Sequence, residues 1–239
     1  MKTLSFISMI GAAILVSACN FNISTGEKGN GNVVTEERTV SADFTEVRGS
    51  AGMEVYLEQG SENKIVVEAD ENLLKYIETE IDGGKLHIKT SENIGRATAK
   101  KIHVTYKELN SIEASSGAEV VGNSVIKSQN LSLKSSSGAE LNVAIFAQDV
   151  IARSSSGSNL KVSGKATSLK ADASSGSELN AKELMVINCN AEASSGAQVT
   201  INVQDRLETN ASSGGEINYY GSPVSVNANN SRSGNVNKM

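Results

Sequence analysis

Acidic and amide side chains recur at one fixed place in a repeated motif, and they are the first candidates for chemistry. The motif is Ser-Ser-Gly or a close variant, and the recurring residue stands two positions after its glycine. The set is Glu119, Glu140, Asn159, Glu178, Gln198 and Glu216. If these side chains stack on one face, the four glutamates (Glu119, Glu140, Glu178 and Glu216) predict a strip that binds or bridges cations. The simpler interpretation, which we prefer, is a solvated strand face.

Other reactive residue types lack the partners that catalysis or metal binding requires. His87 and His103 each stand between two apolar residues, and no HxH, HxxxH or HExxH spacing occurs. Cys189 shares its position in the repeat with Leu and Val, which predicts a buried thiol rather than a nucleophile. The Ser-Ser-Gly motif is not the GxSxG elbow of serine hydrolases. We therefore predict no catalytic residue, no metal site and no cofactor.

A polysaccharide lyase or hydrolase is the enzyme alternative to consider, because β-helices host such enzymes. Their sites need clustered aspartates, together with aromatic residues that stack on sugars. No two of the candidate aspartates share a position in the repeat; they are Asp43, Asp70, Asp149, Asp172 and Asp205. The aromatic residues of the repetitive half are few: Phe146, Tyr219 and Tyr220. Every repeat has 18–21 residues, so no insertion builds a cleft.

The elements that position the glutamates follow from the repeat itself. The glycines of the motif are 21, 19, 19, 20, 18 and 20 residues apart, from Gly117 to Gly234. A period near 20 is too short for helical repeats or propeller blades and suits one turn of a β-solenoid. Apolar residues stay in register three positions after and seven positions before each glycine, which a flexible Ser/Gly linker would not maintain. The glycine itself indicates either close backbone packing or a positive φ.

The chain upstream of the repeats predicts less regular β-structure. Apolar residues at or near period two predict strands around Val55, Ile65, Ile77, Leu86 and Ile102. The Asp82-Gly83-Gly84 segment predicts a hairpin, and residues 71–75 predict a single helical turn. Residues 50–55 (SAGMEV) look like an isolated early copy of the motif. At the other end, the Asn-rich last copy is typical of a polar solenoid cap.

The first residues have the pattern of a lipoprotein signal peptide. Lys2 precedes an apolar run of about a dozen residues, which is too short to span a bilayer. The Val16-Ser17-Ala18-Cys19 sequence resembles a lipobox and predicts lipid attachment at Cys19. We therefore divide the chain into a signal peptide (1–18), a flexible tether (19–38) and a single β-solenoid domain (39–239). Within that domain, residues 39–110 are the irregular β part, and residues 111–239 contain the rungs and the C-terminal cap.

The lipobox, the "ENLL…DGGKLHI" stretch and the successive SSGAEL-type rungs together resemble one known family. This is the putative auto-transporter adhesin, head GIN domain family of Bacteroidota-type bacteria, and the resemblance covers about residues 40–230. It implies an all-β fold, a right-handed parallel β-helix, on small exported proteins of unknown biochemical function. It supplies no binding residues.

These observations predict an exported lipoprotein of the outer membrane, facing the periplasm or the cell surface. Its net charge is −5 and it has no basic patch, so we expect no nucleic-acid partner. The membrane is a partner through the lipid, and a glycan or protein ligand is expected for a non-catalytic, adhesin-like module. The alternatives are a self-associating envelope protein that forms a homo-oligomer through open rungs and, less favoured, the polysaccharide-active enzyme.

Overall fold

The protein is a β-solenoid, described here from a computed structural model that covers residues 26–231 and 233–239. The predicted signal peptide and Cys19 lie outside the described residues. The N-terminal strands are β1 (Val33–Arg38), β2 (Glu46–Gly49), β3 (Glu54–Gln59), β4 (Lys64–Asp70), β5 (Ile77–Asp82), β6 (Lys85–Thr90) and β7 (Lys100–Tyr106). A 3-10 helix, Glu71–Tyr76, joins β4 to β5, and a two-glycine turn joins β5 to β6, both as predicted.

The repetitive half consists of long strands that stack in parallel. They are β8 (Ser111–Ala114), β9 (Glu119–Gly122), β10 (Ile126–Ser136), β11 (Glu140–Ser155), β12 (Asn159–Ser174), β13 (Glu178–Ala193), β14 (Gln198–Ala211), β15 (Glu216–Gly221), β16 (Ser225–Asn230) and β17 (Asn235–Lys238). Leu141 pairs with Leu160, and Leu160 pairs with Leu179, so successive coils are in the register that the sequence predicted. The described part of the chain contains no helix long and apolar enough to cross a membrane.

The core is a set of apolar ladders inside the coils. From Gly117 to Gly214, the residues three positions after the motif glycine are buried. The apolar residues seven positions before it, including Cys189, are buried as well, and so is the small residue three positions before it, which is either Ala or Ser. Where it is serine, its hydroxyl is satisfied: Ser135 Oγ donates to the Ala139 carbonyl at 3.0 Å, and Ser154 Oγ to the Ser158 carbonyl at 3.1 Å. Hydroxyls can therefore occupy this column without an unpaired buried donor.

The six motif copies from Gly117 to Gly214 each form a tight turn in which two consecutive residues have positive φ. At the third motif copy these are Ser156 (φ 56°) and Gly157 (φ 67°), a pattern typical of a type I′ turn. The Gly157 amide donates to the Ser175 carbonyl of the next coil at 3.1 Å, and the other copies repeat this bond. A Cβ on Gly157 would meet no atom within 4 Å. Of the two reasons for glycine that the sequence left open, positive φ therefore applies here and crowding does not.

The order of the first coils differs from the order of the chain. β2 pairs with β6 on one side and with β8 on the other, while β3 lies between β7 and β9. The early motif copy at residues 50–52 is therefore a complete rung, inserted between the coil of β6 and β7 and that of β8 and β9. Gly52 has a φ of 69°, and its amide donates to the Ser116 carbonyl at 3.0 Å. One rung of the solenoid thus comes from the half that the sequence suggested is irregular.

Antiparallel strands close the N-terminal end of the stack. β4 pairs antiparallel with β7, β1 with β4, and β5 with β6. The sequence predicted a flexible tether up to residue 38, whereas Val33–Arg38 is strand β1, and Glu27 forms a bridge with Ile94. The polar composition of this segment misled the prediction, because β1 is an exposed edge strand held mainly by backbone hydrogen bonds to β4.

A buried carboxylate holds the cap together. Asp70 is fully buried and accepts hydrogen bonds from the backbone amides of Gly31 (2.6 Å), Thr98 (2.7 Å) and Ala99 (3.1 Å). Burial acts to raise the pKa of Asp70, but the backbone hydrogen bonds outweigh it, so the pKa lies below its usual value. Asp70 thereby connects the N-terminal segment to the loop before β7.

Replacing Gly157 tests the conformational requirement of the turn. We expect Gly157→Val to lower the free energy of unfolding by about 1–2 kcal/mol, because a β-branched residue is strained at positive φ. Gly157→Asn should cost less, because asparagine tolerates this region although its side chain is of similar size. Chemical denaturation of both variants measures the difference. Equal losses for valine and asparagine would contradict an explanation based on φ.

Replacing Asp70 tests the cap. Asp70→Asn removes the charge and converts one acceptor into a donor, so we expect a loss of about 2–3 kcal/mol at pH 7. A lowered folded-state pKa contributes stability that is present above the unfolded-state pKa of about 3.9 and is lost as the pH falls through the folded-state value. Denaturation curves between pH 7 and pH 2 should therefore converge for the two proteins at the acidic end. A constant gap across that range would contradict the proposed role of the ionised carboxylate.

Candidate functional site

The acidic and amide residues predicted from the motif lie in one ladder on an exposed face. Backbone pairing places Glu119 beside Glu140, and then Asn159, Glu178, Gln198 and Glu216 in successive rungs. Neighbouring rungs are about 4.8 Å apart. All these side chains are exposed except that of Glu216, which is half-buried. The structure therefore brings the predicted side chains into a single column, which we call the glutamate column.

Within this column, only some of the glutamates are neighbours. Asn159 separates Glu140 from Glu178, and Gln198 separates Glu178 from Glu216. The amide of Asn218 donates to Glu216 at 2.8 Å. Glu178 and Glu216 therefore have neutral neighbours in the column, while Glu119 and Glu140 face each other as like charges. Among the described residues, no group of three or more His, Cys, Asp or Glu side chains could hold a metal ion. The cation strip stays a prediction.

The inserted rung extends the glutamate column with a residue that our sequence analysis missed. Glu54 of β3 pairs with Glu119, and on its other side it pairs with Lys101 of β7. Three glutamates are therefore consecutive: Glu54, Glu119 and Glu140. The signal was present in the sequence, because Glu54 stands two positions after Gly52 in the early motif copy. It could be used only once the early copy was known to stack beside the others.

The inserted rung also places an aromatic pair beside the glutamates. Tyr56 stacks on His103, with ring centroids 5.4 Å apart and an angle of 19° between the planes. The Tyr56 hydroxyl is 3.3 Å from Glu54, and His103 Nε2 is 3.4 Å from Glu68. Partial burial raises the pKa of Tyr56 first, and the nearby Glu54 and Glu119 add to the shift. The hydroxyl therefore stays protonated and can donate or accept hydrogen bonds.

Together these residues form what we call the acidic aromatic patch: Glu54, Tyr56, His103, Glu119 and Glu140. Strands β3, β7, β9 and β11 position them, and each strand presents alternate residues outward from a fixed ladder. In the patch, His103, Glu119 and Glu140 are exposed while Glu54 and Tyr56 are half-buried, so aromatic rings lie next to hydrogen-bond acceptors at the surface. Such a surface can bind a polar ligand laterally.

Apart from His103, the residues considered for catalysis lie outside the acidic aromatic patch. His87 and His103 both point out of the core, as the sequence predicted. Cys189 is 4% exposed, and burial raises the pKa of its thiol well above the usual range, so the thiolate required of a nucleophile is disfavoured. The candidate aspartates do not converge either: Asp70 is the cap residue, Asp43 pairs with Lys107 at 2.9 Å, and Asp172 pairs with Arg153 at 3.3 Å.

These features define a class of protein: a parallel β-solenoid with regular rungs and an exposed, polar lateral face. A family model described as "Putative auto-transporter adhesin, head GIN domain" matches residues 43–223. The chain belongs to this family. No protein in the curated collection of characterised sequences matches it.

Solved structures with the same fold come from species of Bacteroides and Parabacteroides. A putative adhesin from Bacteroides fragilis has 16% sequence identity and a TM-score of 0.83, over 89% of this chain and 100% of that one. A putative adhesin from Parabacteroides merdae has 21% identity and a TM-score of 0.70, over 89% and 98%. A putative lipid binding protein from Parabacteroides distasonis has 22% identity and a TM-score of 0.66, over 89% and 99%. At these identities the likeness establishes the fold.

Calcium-dependent melting tests the glutamate column. We expect Glu119→Gln together with Glu140→Gln to reduce any rise in Tm that calcium produces, because this variant removes two adjacent carboxylates. Without calcium the same variant should be as stable as the parent or up to about 1 kcal/mol more stable, since like-charge repulsion is relieved. The matched control is Glu178→Gln with Glu216→Gln, in which each glutamate already has amide neighbours. An unchanged calcium response in the first variant would eliminate the cation strip.

Proposed function

We propose that this protein is an exported, lipid-anchored, non-catalytic adhesin-like module that binds its ligand through the acidic aromatic patch. The observation that carries the proposal is the stacked pair Tyr56–His103, which adjoins the consecutive carboxylates Glu54, Glu119 and Glu140 on an exposed face. Membership of an adhesin-like family supports the non-catalytic role and an exported or surface location. Lipid attachment at Cys19 is supported by the lipobox-like sequence before it.

A glycan is the ligand class that this chemistry favours. Aromatic rings offer an apolar face for the C–H groups of a sugar, and carboxylates accept hydrogen bonds from its hydroxyl groups. The carboxylates recur at the rung spacing of about 4.8 Å, so a chain molecule lying along the column would meet an acceptor at each of three rungs. The negative charge disfavours strongly acidic glycans, since like charges repel.

Self-association is a second candidate, and the last rung favours it. β16 pairs only with β14, and β17 pairs only with β15, so within residues 26–231 and 233–239 the outer edges of both strands are unpaired. Strand β16 has no charged residue that would discourage edge-to-edge pairing. A second copy could add its own strands to this edge.

Binding of intact cells to a panel of immobilised glycans tests the proposal. Cells that produce the full chain should bind at least one neutral glycan. Tyr56→Ala should reduce that binding about tenfold or more, because a stacked aromatic residue is removed. Tyr220→Ala is the matched control, since Tyr220 is a half-buried tyrosine that lies outside the acidic aromatic patch.

Protease treatment of the same cells separates the outcomes. Digestion of the chain on intact cells is expected for a surface adhesin, whereas protection until lysis would place it in the periplasm and overturn the adhesin role. Equal loss of binding in the Tyr56 and Tyr220 variants would argue against the acidic aromatic patch. Association of the chain that rises with concentration, without glycan binding, would favour the self-association candidate.

A further inference from the structure

The face that carries the glutamate column ends in a second, chemically different column. Its residues pair in successive rungs in the order Lys127, Phe146, Lys165 and Met185. The Phe146 side chain is 60% exposed and that of Met185 is 39% exposed. Ile187, two residues further along β13, is 43% exposed. Other large apolar side chains, such as Ile151, are exposed singly, but Phe146, Met185 and Ile187 lie together within three successive rungs.

These side chains surround a shallow depression rather than standing singly. Its volume is about 310 Å³, and its floor is made by the small residues Ala147 and Ala166. Phe146, Met185 and Ile187 form its apolar walls, with Lys165 at the rim. We call this surface the lysine–apolar strip and define it as Lys127, Phe146, Lys165, Met185 and Ile187. The strip is exposed and combines apolar contact area with positive charge.

The lysines of the strip are available to an external anion. Within the part of the chain that the structure describes, neither Lys127 nor Lys165 forms an ion pair, whereas most lysines of the N-terminal half do. Lys165 lies between Phe146 and Met185 in the ladder, so its charge sits among apolar side chains. Two exposed acidic residues lie near the strip but outside it: Glu183, two residues before Met185, and Asp205, next to Gln204 in the lining of the depression. The strip itself therefore contains only positive and apolar side chains.

Charge is separated across this face. Phe146 follows Glu140 by six residues on the same strand, which corresponds to about 20 Å. The side chains between them are small or neutral: Asn142 and Ala144. Along β11, one end of the face is thus acidic, and the other end carries Phe146 between the lysines of the neighbouring rungs. A surface that has negatively charged groups outside and an apolar layer below them would attract the strip and repel the glutamate column.

We infer that the lysine–apolar strip rests on an anionic phospholipid surface and orients the solenoid on its side. Surface-bound proteins insert aromatic and aliphatic side chains at the boundary between headgroups and acyl chains, while lysines contact anionic headgroups. The acidic aromatic patch, about 20 Å from the strip at the opposite edge of the same face, then lies beside the membrane contact rather than in it, where a ligand can reach it. The inference rests on the proposed lipid attachment, which would keep the strip near the bilayer.

The length of the connecting chain agrees with a side-on arrangement. Gly26, the first described residue, is seven positions after Cys19, and a chain of that length can reach at most about 25 Å. The bridge between Glu27 and Ile94 fixes the following segment at the N-terminal end of the stack. Phe146 lies in β11, three ladder steps from β7 through β3 and β9, which is about 15 Å along the axis. Phe146 is also about 20 Å across the face from the column of Lys101 and Glu140, so the distance from β7 to the strip is comparable to the reach of the connecting chain.

Tryptophan fluorescence tests the inference, because the chain contains no tryptophan of its own. The probe variant is Phe146→Trp and the matched control is Asn159→Trp, an exposed position in the glutamate column one rung away. Each full-length chain is reconstituted into vesicles of phosphatidylcholine with 30% phosphatidylglycerol or into vesicles of phosphatidylcholine alone. Lipids brominated in their acyl chains quench tryptophans that reach the hydrocarbon boundary.

We expect quenching of Phe146→Trp to be at least threefold stronger than that of Asn159→Trp in the anionic vesicles. Adding Lys127→Glu and Lys165→Glu to the Phe146→Trp chain should abolish this difference. A second probe, Ile187→Trp, should behave like Phe146→Trp and guards against a local folding defect at residue 146. Circular dichroism melting curves confirm that each variant is folded.

Two results would overturn the inference. Equal quenching at both positions, in either vesicle type, would mean that the strip has no preference for the bilayer. A blue shift of Phe146→Trp that depends on protein concentration and occurs without vesicles would mean that a second copy covers the strip. Flotation of the full chain with the vesicles, compared with Cys19→Ser, reports on lipid attachment separately. Failure of the proposed anchor is therefore distinguishable from failure of the strip.

Discussion

The ladder of backbone hydrogen bonds along the solenoid axis is the constraint on which the other features depend. Parallel pairing fixes each residue directly above its counterpart in the previous coil. Residues at equivalent positions of the repeat therefore stack into columns of similar side chains. The Ser-Ser-Gly turn keeps that register, because its glycine amide donates a hydrogen bond to the turn of the next coil. Its two residues with positive φ change the direction of the chain at this corner. The turn is therefore both a corner of the coil and a part of the ladder.

The same constraint explains how a simple sequence can carry distinct surfaces. Alternate residues of each strand point into the core, where they must be apolar or small and hydrogen-bonded, as Ser135 and Ser154 are. The outward residues are free of that requirement, so the columns on one face can differ completely in charge. An acidic edge at Glu140 and an apolar edge at Phe146 thus coexist on one strand without disturbing the core.

Sequence reasoning recovered what is local and periodic. The buried columns, the hairpin before Lys85 and the helical turn at Glu71 follow from period, turn residues and composition, and the structure has all of them. The interleaving of β2 and β3 between later strands could not be predicted, because it depends on pairing between segments about 40 and 65 residues apart. Consequently the sequence indicated Glu119 and Glu140 but not their neighbours Glu54, Tyr56 and His103.

The interleaved rung connects the cap to the candidate site physically. β3 lies between β7 and β9, so the residues that carry Tyr56 are hydrogen-bonded to the cap on one side and to the regular stack on the other. β7 in turn pairs with β4, whose last residue is Asp70, the carboxylate that holds the N-terminal segment. A change that loosens Asp70 therefore acts on the edge of β7 that supports His103. The cap and the acidic aromatic patch are thus coupled through paired strands. We expect loss of the Asp70 hydrogen bonds to loosen the Tyr56–His103 stack as well.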